Sequence, residues 1–583
     1  MPNKPSSIAK ISRPDSKGIF PRERLFRELD QARQKRVLWI AGPAGSGKTS
    51  LASSYIESRS IPAIWVQLDE GDGDPAAFFY YLRLAVQNAN HHRVEPLPLF
   101  TAEYQQRLGL FTRRFFEKIC DLLNRPYLLV FDNYQEVPEQ AALHEMIVHG
   151  LEAVQKGVCA MFLSRSEPPP SFVRLMANEA VHLMTWNDLR LSLEESKSIM
   201  RMKDGDRLDG CAVEQMHGAC EGWAAGIILM RVLMRVHALD EWMAIRNASC
   251  REIFSYFAGE VLDRLDDSVR SFLLHTAFLP KIHADAANHL AGVEDAEERL
   301  SSLARKQYFT TRSAGGESVY QYHQLFREFL LETAKEEWTA AKLQCIQRKA
   351  AELLEDQGQI EDAAGLLLDS PDWQGILRLI QENARSMISQ GRYRTVEKWL
   401  RRIPEHFRDK EPWLWYWLGI CRMPEDLQAS RAALQKGYTR FRKSDDIAGV
   451  FLSWSGIVET YSYEWGVMYP LDHWIAEMDT LLTLYPEFPS SEIEARVILG
   501  MFFALMYRQP DHPDMRLWEE KAWDLAFSDA DLDIRVAVSS HLIMYFLGWR
   551  GHHTKAELLL NSLKISLLPR STKISPLHEI IWR

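Results

Sequence analysis

The 583-residue chain contains no CxxC pair, and its seven cysteines (Cys120, Cys159, Cys211, Cys220, Cys250, Cys345 and Cys421) stand singly. Zinc sites and disulfide frameworks need cysteines in close or even sets, so the pattern is that of a reduced, intracellular protein. No uncharged apolar run of 18 residues occurs, and residues 1–20 lack the apolar segment of a signal peptide. Membrane contact and export are therefore not expected, and the localisation read from the sequence is cytoplasmic. A basic excess is missing too: 69 Lys+Arg against 79 Asp+Glu leave a net charge of −10. That argues against general adhesion to nucleic acid or membrane surfaces. No G-x-S-x-G nucleophile elbow is present. In His144-Glu145-x3-His149 the histidines stand five apart rather than four, so on a helix they diverge by roughly 140° and cannot share one ion. His91-His92 and His552-His553 have no third ligand nearby.

What remains is ordinary globular material, 46% hydrophobic and 25% charged with 18 tryptophans, long enough for about three to five domains. Residues 1–36 form a basic lead-in, with ten Lys/Arg against four Asp/Glu and an amphipathic stretch from Arg22 to Lys35. Residues 37–187 alternate short apolar runs with longer helical ones, the pattern of a parallel α/β domain. Its strands are expected at Val37–Ala41, Ala63–Leu68, Tyr127–Phe131, Cys159–Ser164 and Val181–Met184, with helices after Lys48, Pro75 and Glu103. Helical spacing dominates residues 188–250. At 251–335 a hairpin, Tyr308–Arg312 with Ser318–Tyr322 around Ala314-Gly315-Gly316, lies beside helices and reads as a winged-helix-like domain. From 336 to 583, helical pairs punctuated by Gly and Pro read as a TPR-like α-solenoid, with Trp518-x3-Ala522 and Gly551-x4-Ala556 about 34 residues apart. The aromatic run Trp413–Trp417 fits packing between such units better than a ligand box.

Gly42-Pro43-Ala44-Gly45-Ser46-Gly47-Lys48-Thr49, followed by Ser50, is a complete G-x4-G-K-[ST] between an apolar strand and a helix. Its glycines let backbone N–H groups wrap phosphates at a helix N-terminus. Lys48 is expected to reach the β- and γ-phosphates, and the Thr49 hydroxyl to join a Mg2+ shell. A second magnesium ligand is expected at Asp132, the acid closing the apolar run Tyr127–Phe131. The next residue is Asn133, and an amide cannot accept a proton at neutral pH. Hydrolysis of ATP is therefore expected to be slow unless Glu136 or Asp69 substitutes. Asn133 also suits a residue that only caps the loop after the strand, and both readings stand together. Arg165, after the strand ending at Ser164, is placed to sense a γ-phosphate.

Taken in order, these pieces resemble one family. They are Pro21-Arg22-Glu23-Arg24-Leu25, the phosphate loop, Leu68–Asp72, Phe131-Asp132-Asn133-Tyr134 and Leu163-Ser164-Arg165, then Glu221-Gly222-Trp223-Ala224 and Tyr322-His323-Gln324-Leu325-Phe326-x-x-Phe329-Leu330. The chain resembles the STAND ATPases, in particular the MalT-like large ATP-binding regulators of the LuxR type. The resemblance implies a switch operated by ATP and ADP with Mg2+, locked by ADP and opened by inducer and ATP. It implies that Arg22 lies near the base and ribose, that Trp223 occupies an adenine-side turn, and that His323 touches the ADP β-phosphate. It further implies an inducer, small molecule or protein, on the helical repeats, nucleotide-dependent self-association, and no membrane partner. DNA is expected to be reached only through a C-terminal domain that this sequence lacks. Asp132-Asn133-Tyr134-Gln135 departs from the Asp-Asp-Tyr-His of many relatives, which again points to slow turnover. Two other readings stay open: a standalone STAND sensor of the defence type with its effector elsewhere, and a metabolic P-loop kinase.

Overall fold

Val37–Ala41 (β1) is apolar along its whole length and buried on both faces, which suits a strand inside a parallel sheet covered by helices on each side. In the computed structural model β1 lies between β4 (Val158–Ser164) and β5 (Val181–Met184). Outside β4 come β3 (Tyr127–Asp132) and β2 (Ala63–Gln67), giving the all-parallel order β2-β3-β4-β1-β5. Each of the five strands lies within one residue of its expected bounds. Parallel neighbours need long crossovers, and here these include α2 (Lys48–Ser58), α3 (Pro75–Ala89), α4 (Leu108–Leu122) and α5 (Leu143–Ala153), after a leading α1 (Glu23–Ala32). The structure describes residues 9–89, 97–101, 104, 107–123, 126–154, 157–204, 210–228, 258–259, 262, 265–306, 309–312 and 319–567.

An aromatic ladder runs across three of these strands. Phe162 on β4 stacks on Trp39 of β1 and on Phe131 of β3, each at a ring separation of 5.1 Å and within about 20° of parallel. Tyr134 and Phe172 meet the ladder edge-on. A one-residue slip would turn every member to the opposite face, so the ladder fixes which residues emerge at the strand ends. Those residues are Asp132 after Phe131, and Ser164-Arg165 after Leu163.

Beyond the sheet domain, β6 (Ile282–His283), β8 (Val319–Tyr322) and β7 (Thr310–Arg312) form a small antiparallel sheet in the order β6-β8-β7. Helices Asp267–Thr276, Ala284–Ala291, Ala296–Lys306 and Gln324–Glu337 accompany it. The hairpin expected from sequence is therefore there, although Tyr308, Ser318 and the turn at 314–316 lie outside the described residues, as do 229–250 of the expected helical domain and most of residues 251–264. The third strand, two residues long, carries too little pattern to be read from sequence.

The chain divides into two compact units, one comprising the chain to Leu97 with Leu108–Asp372, the other Pro98–Arg107 with the chain from Trp373 onward. The helical pair Ala340–Asp356 and Ile360–Asp369 belongs to the first unit, although composition starts the solenoid at 336. Tyr81 Oη donates to Glu361 at 2.7 Å, tying this pair to α3. Burial raises the pKa of the Asp362 carboxyl while the Arg327 charge opposes the shift. The second unit is a succession of antiparallel helices from Trp373–Ser389 to His553–Leu567. Large rings fill its interior: Trp454 is fully buried and donates its indole N–H to the Trp474 carbonyl at 2.8 Å. Leu414, Trp415 and Tyr416 are buried in the helix Pro412–Arg422, which gives the aromatic run its packing role.

Within the winged-helix module, Lys281 is 2% exposed and its Nζ has no hydrogen-bond partner among the described residues. Burial pulls its pKa down to about 7. Between that value and the usual 10.5 the unfolded chain holds a proton that the folded chain does not, so folding becomes more favourable as pH rises through this window. Lys281→Met should therefore stabilise the first unit, by about 1–3 kcal/mol near pH 7 and by less near pH 10. Thermal unfolding at the two pH values checks the sign and its trend.

Candidate functional site

The phosphate loop leaves β1 and enters α2 with two residues in the left-handed region, Gly45 at φ 73° and Gly47 at φ 86°. Only glycine takes these angles without strain. Gly42 N–H donates to the Ser164 carbonyl at 3.1 Å, which fixes the loop to the end of β4. Lys48 Nζ donates to the carbonyls of Gly42 at 2.7 Å and Pro43 at 3.0 Å and to Ser46 Oγ at 3.4 Å. Burial draws its pKa down to about 8; Asp132 opposes the shift and Arg165 adds to it. Ser46 is fully buried. Ser50 faces outward and its carbonyl accepts from Ser54 Oγ at 2.6 Å.

Asp132 is 4% exposed at the end of β3, and Thr49 Oγ1 lies 3.2 Å from each of its carboxylate oxygens. Burial pushes Asp132 up to about 6, against the hydrogen bonds from Thr49 and Asn133 N–H and the Lys48 charge. A hydroxyl and a carboxylate are hard oxygen donors of the kind magnesium takes together with substrate phosphates, so this pair fits the ion. Asn133 has φ 59°, a left-handed position that Asn tolerates better than most residues. Gln135 Oε1 accepts from Arg165 N–H at 3.0 Å and its amide donates to Glu136 at 3.1 Å. Of the two carboxylates expected to stand in as base, Glu136 lies beside Arg165. Asp69 instead pairs with Lys10 and caps the turn Glu70–Gly73, accepting from Gly71 N–H at 2.8 Å. His144 places its ring nitrogens 2.8 Å from Tyr134 Oη and 3.0 Å from the Pro138 carbonyl, holding the loop that follows β3.

The three residues that the resemblance assigns to the nucleotide make these contacts within the protein. Arg22 is 6% exposed, and its guanidinium donates to the Leu189 and Arg190 carbonyls at 2.9 and 3.0 Å and to Glu195 at 3.2 Å. The side chain expected beside base and ribose is thus a strut joining the lead-in to residues 189–195. Trp223, 3% exposed, donates its indole N–H to the Ala44 carbonyl at 2.9 Å, and Ala225 N–H donates to Gly45 at 3.0 Å. Its polar edge therefore clamps the phosphate loop. His323, at the N-terminus of helix Gln324–Glu337, is driven down to about 4 by burial and then by the charges of Lys48 and Arg165. It is a neutral imidazole at pH 7, and its backbone N–H donates to the Phe309 carbonyl at 2.6 Å.

Sequence reading missed Ala225 and Glu328. Ala225 follows the Gly222-Trp223-Ala224 piece directly, but its closeness to Gly45 is tertiary. Glu328 Oε1 lies 3.8 Å from Arg165 Nη2; its only sequence signal is a carboxylate in the helix that starts after His323.

Two comparisons point to MalT. Residues 258–342 match the model of the MalT winged helix domain, which covers β6–β8, His323 and the helix Gln324–Glu337. The chain is 26% identical over 404 residues to the HTH-type transcriptional regulator MalT of Cronobacter sakazakii, which takes in 68% of this chain and 44% of that protein. Over this stretch the chain is MalT-like. It spans less than half the length of that relative. Among solved structures, a Walker-type ATPase of Pyrococcus abyssi aligns with 15% identity and a TM-score of 0.29, over 54% of this chain and 96% of its own. The Orc1 protein of Aeropyrum pernix in complex with DNA gives 16% and 0.27, over 54% and 94%. Likenesses of that extent carry no functional argument.

The clamp on the loop is testable. A Cβ at Gly45 would lie 2.6 Å from Ala225 Cβ and 2.9 Å from Trp223 Nε1. Gly45→Ala should cost about 1–3 kcal/mol in strain and overpacking. Adding Ala225→Gly should recover only the Ala225 part of the clash, not the contact with Trp223 or the cost of positive φ, as read by thermal unfolding of the single and double variants.

Proposed function

We propose that the chain is an ATP- and ADP-binding molecular switch of the MalT-like regulator kind, signal-responsive, in which nucleotide state controls opening and self-association. The observation that carries this reading is a Gly42–Thr49 loop closed by Asp132 on one side, with Trp223 and His323 of later segments reaching the same loop and its cations. An enzyme built only to turn over a metabolite has no need for a winged helix facing its phosphate site. Here a neutral histidine lies within the field of Lys48 and Arg165.

In this reading Gly42–Thr49 and Lys48 hold the phosphates, while Thr49 and Asp132 hold magnesium. Bound Mg2+ neutralises phosphate charge, and Arg165 answers the terminal group. His323 contributes a neutral hydrogen bond, and a phosphate beside it favours the charged form. Hydrolysis is slow because the position after Asp132 holds an amide. An inducer on the second unit would meet an open groove lined by Tyr438, Tyr461, Tyr469 and Trp474. The longer MalT relative is a transcriptional regulator by name, and regulation of transcription is proposed here for the protein that carries this chain.

Lys48→Ala should abolish binding of a fluorescent ATP analogue while leaving the far-UV helical signal intact; unchanged affinity would remove the assignment. Asn133→Asp keeps a residue that tolerates positive φ, and should raise single-turnover hydrolysis. A wild-type rate already on the order of 10 s⁻¹, the median for enzymes, would place the base elsewhere.

A further inference from the structure

Arg165 has two carboxylates within ion-pair reach. Its Nη2 lies 3.9 Å from Glu136 Oε1 and 3.8 Å from Glu328 Oε1, and all three side chains are about one-third exposed. The two acids differ in where they are anchored. Glu136 lies on the short turn just after Asp132 and stays with the sheet whatever the rest of the unit does. Glu328 belongs to the winged-helix module, on the helix Gln324–Glu337. That helix is tied to its own module through Arg327 Nε, which donates to the Ala277 carbonyl at 2.8 Å, and through the His323 backbone N–H to Phe309. Its carboxylate therefore reaches Arg165 only while the module is docked.

Arg165 follows Ser164, whose carbonyl holds Gly42, and its charge lowers the pKa of Lys48. It is therefore part of the cationic field of the phosphate site. We propose that Glu328 is a specificity-determining residue of that site, engaging Arg165 from the docked winged helix and so setting the preference for ADP over ATP. This rests on the nucleotide reading above. ATP and ADP differ by one terminal phosphate, the group Arg165 is read to sense. A carboxylate on the same guanidinium competes with that phosphate for it, whereas a diphosphate makes no claim on Arg165. By linkage, whatever Glu328 costs ATP binding, ATP returns as a bias against docking.

The test is equilibrium affinity of the full chain for Mg-ATP and Mg-ADP, by displacement of a fluorescent analogue, with Glu328→Gln, Glu336→Gln, Arg165→Ala and the Glu328→Gln/Arg165→Ala double variant. Glu336 is an exposed acid on the same helix and controls for loss of charge alone. Glu328→Gln should tighten ATP about two- to fivefold, the size of a partly exposed ion pair, and leave ADP unchanged. Glu336→Gln should move neither, and in the Arg165→Ala background Glu328→Gln should have no effect. Equal changes for ATP and ADP, no change for either, or the same gain without Arg165 would overturn the proposal. Lys48→Ala binding both nucleotides as the wild type does would overturn the nucleotide reading itself, and the proposal with it.

Discussion

The Lys48 ammonium stands in a place that water solvates poorly, and the arrangement of the first unit answers that constraint. Burial lowers its pKa to about 8, so the charge persists near neutrality only with help from nearby acceptors. The Gly42 and Pro43 carbonyls give direct hydrogen bonds, and Asp132 gives an opposite charge. Arg165 works against it, and Arg165 in turn has Glu136 and Glu328 beside it. The two parts of the unit that reach toward these cations each respond in their own way. Trp223 and Ala225 bond to the loop backbone without adding charge. The winged helix brings an imidazole held neutral by burial and those same cations, and a carboxylate that pairs with one of them.

The sheet was legible because its strands are short, apolar and bounded by turn residues, so periodicity alone places them. The order of strands was not, since nothing local says that β4 inserts between β1 and β3. That order matters: it puts the Arg165 strand beside both the phosphate loop and the strand that ends at Asp132. The winged helix was legible as a hairpin beside helices, but β6 is two residues long and offers no alternation. The end of the first unit at Asp372 also escaped composition. It depends on tertiary contacts such as Tyr81 with Glu361, between residues 280 apart.

For the site the division follows the same physics. Lys48, Thr49 and Asp132 converge because a contiguous loop and one neighbouring strand deliver them, and such spacing is visible in sequence. The protein contacts of Arg22 and Trp223 were not legible, because they are tertiary: a buried guanidinium takes the nearest acceptors, here Leu189, Arg190 and Glu195. Asn133 serves the backbone, with φ 59°, and its amide also removes a proton acceptor from the site, so the two sequence readings of this residue are compatible. Glu328 had no motif to announce it.

In the proposed switch, nucleotide identity decides how firmly the winged helix rests on the phosphate site. The decisive measurement is hydrogen–deuterium exchange across Phe326–Leu330, in the full chain saturated with Mg-ADP or with a non-hydrolysable Mg-ATP analogue. These amides lie in the helix that carries Glu328, and their opening reports the stability of that helix in place. The switch predicts slower exchange with ADP and faster exchange with the ATP analogue. Identical protection in the two saturated complexes would contradict it.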